Sequence, residues 1–311
     1  MTIWVYANGW PVPPTVLLGC LVAELLYIRG WMRLIKAELT QKDARASHSA
    51  EPTGSRSGMS RWDSWFWRGI YFVIALFLAL VGDSAPVDIF SGRLFWVHMI
   101  QHLLLLVIIP PLLVAAAPLQ PLWLGLPDRA RRLLSAAALP QAKRAFGKVG
   151  HWLRHPAVSC ALLITGIWVW HWPALYDLAL TDETIHDWAE HLTFLAVSVL
   201  FWTQLISSPP LRPRLNTVGQ MLCIGFAIAQ NVALAALIAF APVPLYAPYV
   251  HLAAAPGAFP ALQDQQLGAG IMWTFGDVPF GVSLSILFHR WLGEHTGDAS
   301  ISLRAPRATE R

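Results

Sequence analysis

The stretch "WVHMIQHLLLLVIIPPLLV" places His98, Gln101 and His102 in an otherwise apolar run. Residues four apart lie on the same face of an α-helix, so both imidazoles can point at one ion. Imidazole nitrogen is a ligand for copper, zinc, iron and nickel. Polar side chains in an apolar span are costly, and they usually face the interior of a helix bundle and mark function. The histidine pair therefore predicts a metal-binding group.

Three further histidines occur in two later segments. His171 lies in "WHWPALYDLAL", and "HDWAEH" carries His186 and His191 together with Asp187 and Glu190. In an α-helix His186 and Glu190 share one face, and Asp187 and His191 share another. Carboxylates beside histidines orient the ring and raise its basicity. We predict that the three histidines join the first pair as ligands and that the two acids support them.

A second set of residues could contribute at the edge of such a site. "DQQLGAGIMWTFGD" begins an apolar run. Asp264 lies at the start of this run, at the expected mouth of the site, and Asp277 lies farther inside it. An acid within a span predicts a functional site, with a hydrogen bond to neighbouring backbone as the alternative. The Met272 thioether could bind Cu(I), with packing as the alternative. His251, in a Pro-rich stretch, is either idle or a ligand at the mouth.

The composition indicates which elements must position these residues. The 311-residue chain is 56% hydrophobic and 13% charged, with a mean hydropathy of +0.49, whereas soluble domains carry about 25% charged residues. Apolar runs long enough to span a bilayer recur along it, which predicts an all-α, polytopic membrane bundle. The predicted seven transmembrane helices cover residues 13–34, 66–83, 93–116, 156–173, 187–207, 216–240 and 268–291.

The charged residues alternate between the connections. Most Lys and Arg residues lie in 35–65, 117–155, 208–215 and 292–311, whereas 84–92, 174–186 and 241–267 contain none. The positive-inside rule then predicts an outside N-terminus and a cytoplasmic C-terminus, with the candidate ligands near the outer face. The basic residues serve this topology, so the net charge of +4 does not indicate a nucleic-acid partner.

The predicted domain organisation is a membrane domain over residues 1–292 and a cytoplasmic tail over 293–311. Residues 35–65 are expected to form a flexible cytoplasmic loop, because 41–61 are rich in Ser, Arg and Gly without apolar periodicity. Residues 117–155 form a basic cytoplasmic loop. The three cysteines show no CxxC spacing and each lies in an apolar segment, which argues against a disulfide framework and against a thiolate metal site.

The motifs "HMIQHLLLLVIIPPLLVAAAP", "WHWPALYDLAL" followed by "HDWAEH", and "DQQLGAGIMW" resemble the CtaG-like assembly factors of caa-type cytochrome c oxidases. The resemblance covers about residues 66–292. It implies a multi-pass protein of the bacterial cytoplasmic (inner) membrane that supplies copper to the catalytic subunit of the oxidase, with other copper chaperones as possible partners. The residues that match the family motifs are His98, His102, His171, His186, His191, Asp264, Gln265 and Gln266.

From these residues we expect one copper ion on three or four imidazoles, in a carrier that is not an enzyme. One alternative is a membrane cytochrome, in which histidines on facing helices bind haem axially. Another is a copper or proton-coupled transporter, with Glu24 and Asp277 along its path. A hydrolase fits less well, because the chain shows no nucleophile–base motif.

Overall fold

The computed structural model describes residues 12–48, 61–137 and 140–302, and within these ranges the chain is helical without a strand, as predicted. The α-helices are α1 (Pro14–His48), α2 (Arg61–Gly82), α3 (Ala85–Ser91), α4 (Phe95–Leu103), α5 (Ile109–Ala116), α6 (Leu119–Gly125), α7 (Asp128–Ala137), α8 (Pro140–Leu153), α9 (Pro156–Trp170), α10 (Pro173–Thr181), α11 (His191–Trp202), α12 (Thr217–Ala239), α13 (Ala247–Ala253) and α14 (Ala261–Ser302). Two π-helical segments, Leu104–Ile108 and Ile185–Glu190, join α4 to α5 and lead into α11.

Five stretches of the described chain are long and apolar enough to cross a membrane. They are Pro14–Ala37, Trp65–Gly82, Phe95–Ala116, Thr217–Ala239 and Ala261–Glu294. A sixth is reached if α9 forms one span with the last turns of α8, which it meets at a 70° bend. The predicted span 187–207 corresponds to the second π-helical segment and α11, which are not among these stretches. The count of seven and the orientation of the termini therefore stay predictions.

The surface of these helices is apolar, as a bilayer requires. Large side chains such as Leu18, Leu25, Phe77 and Phe226 are each more than 60% exposed. Exposure of these four side chains, on three helices, to water would cost free energy, whereas lipid chains solvate apolar side chains without that cost. The exposed side chains therefore favour a membrane environment for the bundle.

The expected loop and tail are partly helical. Helix α1 continues through residues 35–48, and α14 continues through residues 293–302. The first of these stretches is rich in Ala, Lys, Glu, Gln and Arg, which are strong helix formers, so helix propensity outweighs the lack of an apolar period. Residues 61–65 of the predicted loop begin α2. The rest of that loop, 49–60, and of the predicted tail, 303–311, lies outside the described residues, as do residues 1–11.

Helix α1 packs closely on α6, which lies in the predicted basic loop. A Cβ atom on Gly30 would lie 1.8 Å from the carbonyl oxygen of Pro121, so only glycine permits this approach. The Arg33 guanidinium donates to Leu124 O at 2.7 Å, and the Tyr27 hydroxyl donates to Ala116 O at 2.9 Å. These contacts attach the first helix to the end of α5 and to α6.

The π-helical segment Leu104–Ile108 lies just before Pro110. Proline has no N–H, so the carbonyl of Leu106, four residues earlier, loses its helical donor. The Ser198 hydroxyl and the Trp202 indole, 3.3 Å away, donate to that carbonyl instead. Helix α11 is thereby tied to the segment that follows the histidine pair.

The structure overturns the expectation for the cysteines. Cys160 near the start of α9 and Cys223 near the start of α12 form a disulfide, although they are 63 residues apart in sequence. Spacing along the chain could not reveal this pair, because the packing of α9 against α12 creates it. Cys20 is a free thiol, and no thiolate metal site is found among the described residues.

Candidate metal centre

Helix α4 presents the first two histidines to the interior, as predicted. His98 is fully buried and His102 is 2% exposed. Their Nε2 atoms lie 2.7 Å apart, and the rings are 4.2 Å apart between centroids. Two imidazole nitrogens this close face a common point, which can be occupied by a shared proton or by a cation. The four-residue spacing therefore brings two imidazole nitrogens together as a pair of candidate metal ligands.

The π-helical segment Ile185–Glu190 aligns His186 with His191, which corrects the predicted helical faces. The N–H of His191 bonds to the carbonyl of His186, five residues earlier. This wider turn places the two rings 4.1 Å apart, whereas an α-helix would put them on different faces. Both rings then face the α4 pair: His186 lies 5.0 Å from His98, and His191 lies 5.8 Å from His102, between centroids.

These four histidines form one buried group, in which a ligand nitrogen from each lies within 4.8 Å of those of the others. His171, at the end of α9, lies beside the group, with its ring 5.8 Å from that of His102. Its Nδ1 bonds to Ile167 O at 2.8 Å, so Nδ1 carries the proton and Nε2 keeps a free lone pair. The fold thus assembles all five predicted histidines, four in direct proximity and one at the edge.

Several nitrogens of this group have no hydrogen-bond partner among the described atoms, although they are buried. They are Nδ1 of His102 and Nε2 of His171, His186 and His191. Most buried polar side-chain atoms in proteins have a partner, so four unpaired nitrogens on neighbouring rings require an explanation. A bound cation would pair several of these lone pairs at once.

Glu190 lies within the same group. It is fully buried, its Oε1 is 3.4 Å from Nε2 of His102, and neither carboxylate oxygen accepts a hydrogen bond in the described structure. Burying a carboxylate is expensive unless a cation or donors compensate it. A metal ion among the imidazoles would supply that compensation, which agrees with the supporting role predicted for this acid.

Tyr249 of α13 orients His98. Its hydroxyl donates to Ser91 O at 2.8 Å, and His98 Nδ1 lies 3.1 Å from the same oxygen. Burial raises the pKa of Tyr249 well above its ordinary value, so the phenol stays protonated. Its single proton goes to Ser91, which leaves Nδ1 of His98 as the donor in the second contact. The lone pair of His98 then lies on Nε2, toward the other histidines.

Asp264 has a different role from the predicted one at the mouth. It is 2% exposed, and its carboxylate accepts hydrogen bonds from the backbone N–H groups of Phe95 at 2.7 Å and Trp96 at 3.1 Å. It therefore caps the start of α4, one turn before His98. Close packing supports this contact, because a Cβ atom on Gly268 would lie 2.4 Å from the Phe95 ring.

The adjacent residues of the same motif divide into two kinds. Gln265 is buried, accepts from Leu245 N at 2.6 Å and donates to Ile238 O at 2.9 Å, so it fastens α14 to the connection after α12. Gln266 is exposed. The motif thus contributes to the site through α4 and the surrounding backbone rather than by ligands.

Met272 and Asp277 lie farther along α14. Met272 is buried and lines a cavity of about 20 Å³ together with Met99, His102 and His171. Asp277 accepts a hydrogen bond from the Asn231 side chain at 3.0 Å, and Asn231 also donates to Met272 O. Asp277 is therefore part of a link between α12 and α14, with a side-chain donor instead of the neighbouring backbone that the structural alternative named.

The remaining predicted residues lie at the histidine end of the bundle, the end that carries α3, α10 and α13. The side chain of His251 is exposed and is not part of the histidine group in the described structure. Asp187 lies 3.1 Å from Nδ1 of His186 rather than beside His191. The acid nearest to His191 is Asp83, whose Oδ1 is 3.9 Å from Nδ1.

Sequence reasoning missed Asp83 and Tyr249. Asp83 ends the second apolar run on the same side as the histidines, so its position was a usable indication. Tyr249 belongs to a Pro-rich connection and contacts His98 across 151 residues of sequence. Nothing in its local spacing indicates that contact.

The fold and the site define a helical membrane protein with a buried histidine group suited to a metal ion. The model of the cytochrome c oxidase caa3 assembly factor family matches residues 52–294, and the chain belongs to this family.

Two curated relatives are similar over 220 residues at 23% identity: the uncharacterized proteins Mb0105 of Mycobacterium bovis and MT0111 of Mycobacterium tuberculosis. The match covers 68% of this chain and 32% of each relative, so the chain spans about a third of their length. No solved structure matches the chain. Family membership supports a role in the assembly of cytochrome c oxidase.

Proposed function

We propose that this protein carries copper to the catalytic subunit of a cytochrome c oxidase during assembly. The observation that supports this most strongly is the buried group of His98, His102, His186 and His191, whose ligand nitrogens lie within 4.8 Å of one another. His171 adds a fifth imidazole with a free Nε2. Neutral imidazoles are good copper ligands, and the Glu190 carboxylate supplies the negative charge that a buried cation needs.

The position of the group suits delivery to another membrane protein. The histidines lie at the end of the bundle whose connections lack Lys and Arg, which the positive-inside rule assigns to the outer face. An ion held at this level can reach a receiving site in a neighbouring membrane subunit by exchanging ligands, without crossing the hydrocarbon core. Other copper chaperones on the same side are the proposed source of the ion.

The haem alternative fits this geometry less well. The Nε2 atoms of His98 and His102 are 2.7 Å apart and face each other, whereas axial haem ligands stand on opposite sides of a porphyrin. The adjoining cavity, about 20 Å³, has room for about one water molecule. The other alternative is a transporter, and copper flux into vesicles that contain the protein would support it.

The test is copper binding by the full chain purified in detergent. The double variant His98→Ala/His102→Ala should lose the tightly bound copper that the wild type takes up at equimolar loading. His251→Ala is the matched control, because it removes an exposed histidine at the same end of the bundle. Thermal unfolding of each variant shows whether the bundle is intact.

Unchanged copper content in a folded double variant would refute the proposed site. A second measurement tests the delivery of copper to the oxidase. Oxidase from cells that carry the double variant should contain less catalytic copper than oxidase from cells that carry His251→Ala. An absorbance band of haem in the purified wild type would favour the cytochrome alternative instead.

A further inference from the structure

A second group of metal-ligand type lies next to the buried histidines. Ligand atoms of Asp88, His186 and Asp187 lie within 4.8 Å of one another. The group runs from the surface to the interior, because Asp187 is exposed, Asp88 is partly buried and His186 is buried. Two carboxylates and one imidazole match a divalent cation in charge and in donor type.

His186 belongs to both groups, and its two ring nitrogens face different partners. Nδ1 lies 3.1 Å from Oδ1 of Asp187, on the acidic side. Nε2 is buried without a hydrogen-bond partner among the described atoms. The ring is 4.1 Å from that of His191 and 5.0 Å from that of His98. One imidazole therefore connects the acidic group with the histidine group.

The local charge favours a cation at this place. Asp88 comes from α3 and Asp187 from the π-helical segment, and the surrounding connections 84–92 and 174–186 contain no Lys or Arg. Asp83 adds a third carboxylate close to His191. Several carboxylates on one surface raise the local concentration of cations and speed their capture.

We propose that Asp88, Asp187 and Nδ1 of His186 form a loading site for a divalent copper ion, which then passes to the buried histidines through Nε2 of the same ring. The inference rests on the proposed function and adds the route by which the site is filled. When Nδ1 holds the ion, the ring proton is on Nε2. As the ion moves inward, Nε2 releases its proton to water, and Nδ1 takes up a proton from water at the exposed side of the ring. The new Nδ1–H then donates to Asp187, so no net proton is gained or lost by the ring.

Along this route the ligands change from mostly carboxylate oxygens at the surface to mostly imidazole nitrogens in the interior. The outer group offers two carboxylates and one imidazole, whose oxygen ligands exchange quickly with water, whereas the inner group offers four imidazoles beside the Glu190 carboxylate. Divalent copper binds such mixed and nitrogen sites more tightly than the other divalent first-row metals. The two lone pairs of one imidazole point away from each other, so the ion leaves Nδ1 before Nε2 binds it. The rings of His98 and His191, beside His186, provide the next ligands.

The experiment titrates the full chain in detergent with Cu²⁺ alone as the probe. Electron paramagnetic resonance counts the nitrogen ligands, and stopped-flow mixing follows the filling of the buried site. The wild type should bind a second, weaker equivalent with one nitrogen ligand, because the other imidazoles can hold the buried ion and leave Nδ1 of His186 for the second one. Asp88→Asn and Asp187→Asn should each weaken that equivalent and slow the filling of the buried site by about 10–100-fold. The final occupancy of the buried site should be unchanged in Asp88→Asn.

Asp177→Asn is the matched control. It also removes one carboxylate at the histidine end, but Asp177 contacts the backbone of Ala247 rather than a histidine. It should fill at the wild-type rate. Wild-type rates and affinities in both aspartate variants would overturn the inference. So would an equal slowing by Asp177→Asn, which would mean that only the general negative charge matters.

The two proposals fail in different ways. If His98→Ala/His102→Ala still binds copper as the wild type does, but the aspartate variants lose one equivalent, the histidine carrier is wrong and the outer site stands. If the double variant loses tight copper while both aspartate variants load normally, the carrier stands and the loading site is wrong. Loss of all copper in a folded aspartate variant would mean a single site, which contradicts the loading site.

Discussion

Replacing Asp264 by Ala tests whether this acid acts as the cap of α4 instead of as a ligand. Its carboxylate accepts hydrogen bonds from the N–H groups of Phe95 at 2.7 Å and Trp96 at 3.1 Å, in a residue that is 2% exposed. The substitution leaves the buried N–H of Phe95 and the partly buried N–H of Trp96 without a partner. A buried donor without a partner costs about 1–3 kcal/mol, and the loss of a helix cap costs about 0.5–2 kcal/mol.

Because these two costs describe the same lost bonds, they overlap, and we expect a total loss of about 2–4 kcal/mol of stability. Asp264→Asn keeps one carbonyl oxygen as an acceptor, so about half of that loss is expected. Gln266→Ala is the matched control, because this exposed residue lies in the same turn of α14. It should leave stability unchanged.

The assay is thermal unfolding of the detergent-purified protein, followed by tryptophan fluorescence, together with copper content after equimolar loading. Asp264→Ala should unfold at a lower temperature than Gln266→Ala. It should also bind copper more weakly, because His98 lies one turn after the capped residues. If Asp264→Ala unfolds at the same temperature as Gln266→Ala but binds no copper, the acid is a ligand and the capping argument is refuted.

Two further predictions concern the bundle around the site. Gly30→Ala should destabilise the protein by about 3 kcal/mol in the same unfolding assay, because its Cβ would overlap the backbone of α6, whereas Gly69→Ala meets open space and should be neutral. The Cys160–Cys223 disulfide predicts that one thiol of the three is alkylated in the denatured protein before reduction and three after it. Labelling of all three without reductant would contradict the disulfide.

Much of the fold was accessible from the sequence because a bilayer imposes one dominant requirement. Runs of apolar residues must be helical to satisfy their backbone groups, so the spans that contain α1, α2, α4, α12 and α14 could be predicted from hydropathy. Part of the expected loop is helical, since residues 35–48 continue α1. Local composition could not show where a helix ends once it has left the membrane.

The candidate site divides in the same way. The sequence by itself determined that His98 and His102 share a face, because a four-residue spacing on an α-helix allows little else. It also placed His171, His186 and His191 at one level of the bundle, since each lies at the end of an apolar run. These relations are local, and local geometry follows from residue order.

Only the tertiary structure decided how the remaining groups meet. The π-helical turn that aligns His186 with His191 arises in the packed bundle, and so does the capping of α4 by Asp264 from α14. Tyr249 reaches His98 across 151 residues. Such contacts depend on how the helices pack against one another. The apolar residues of a span indicate that the helix lies in the membrane, but they do not indicate which helix it packs against.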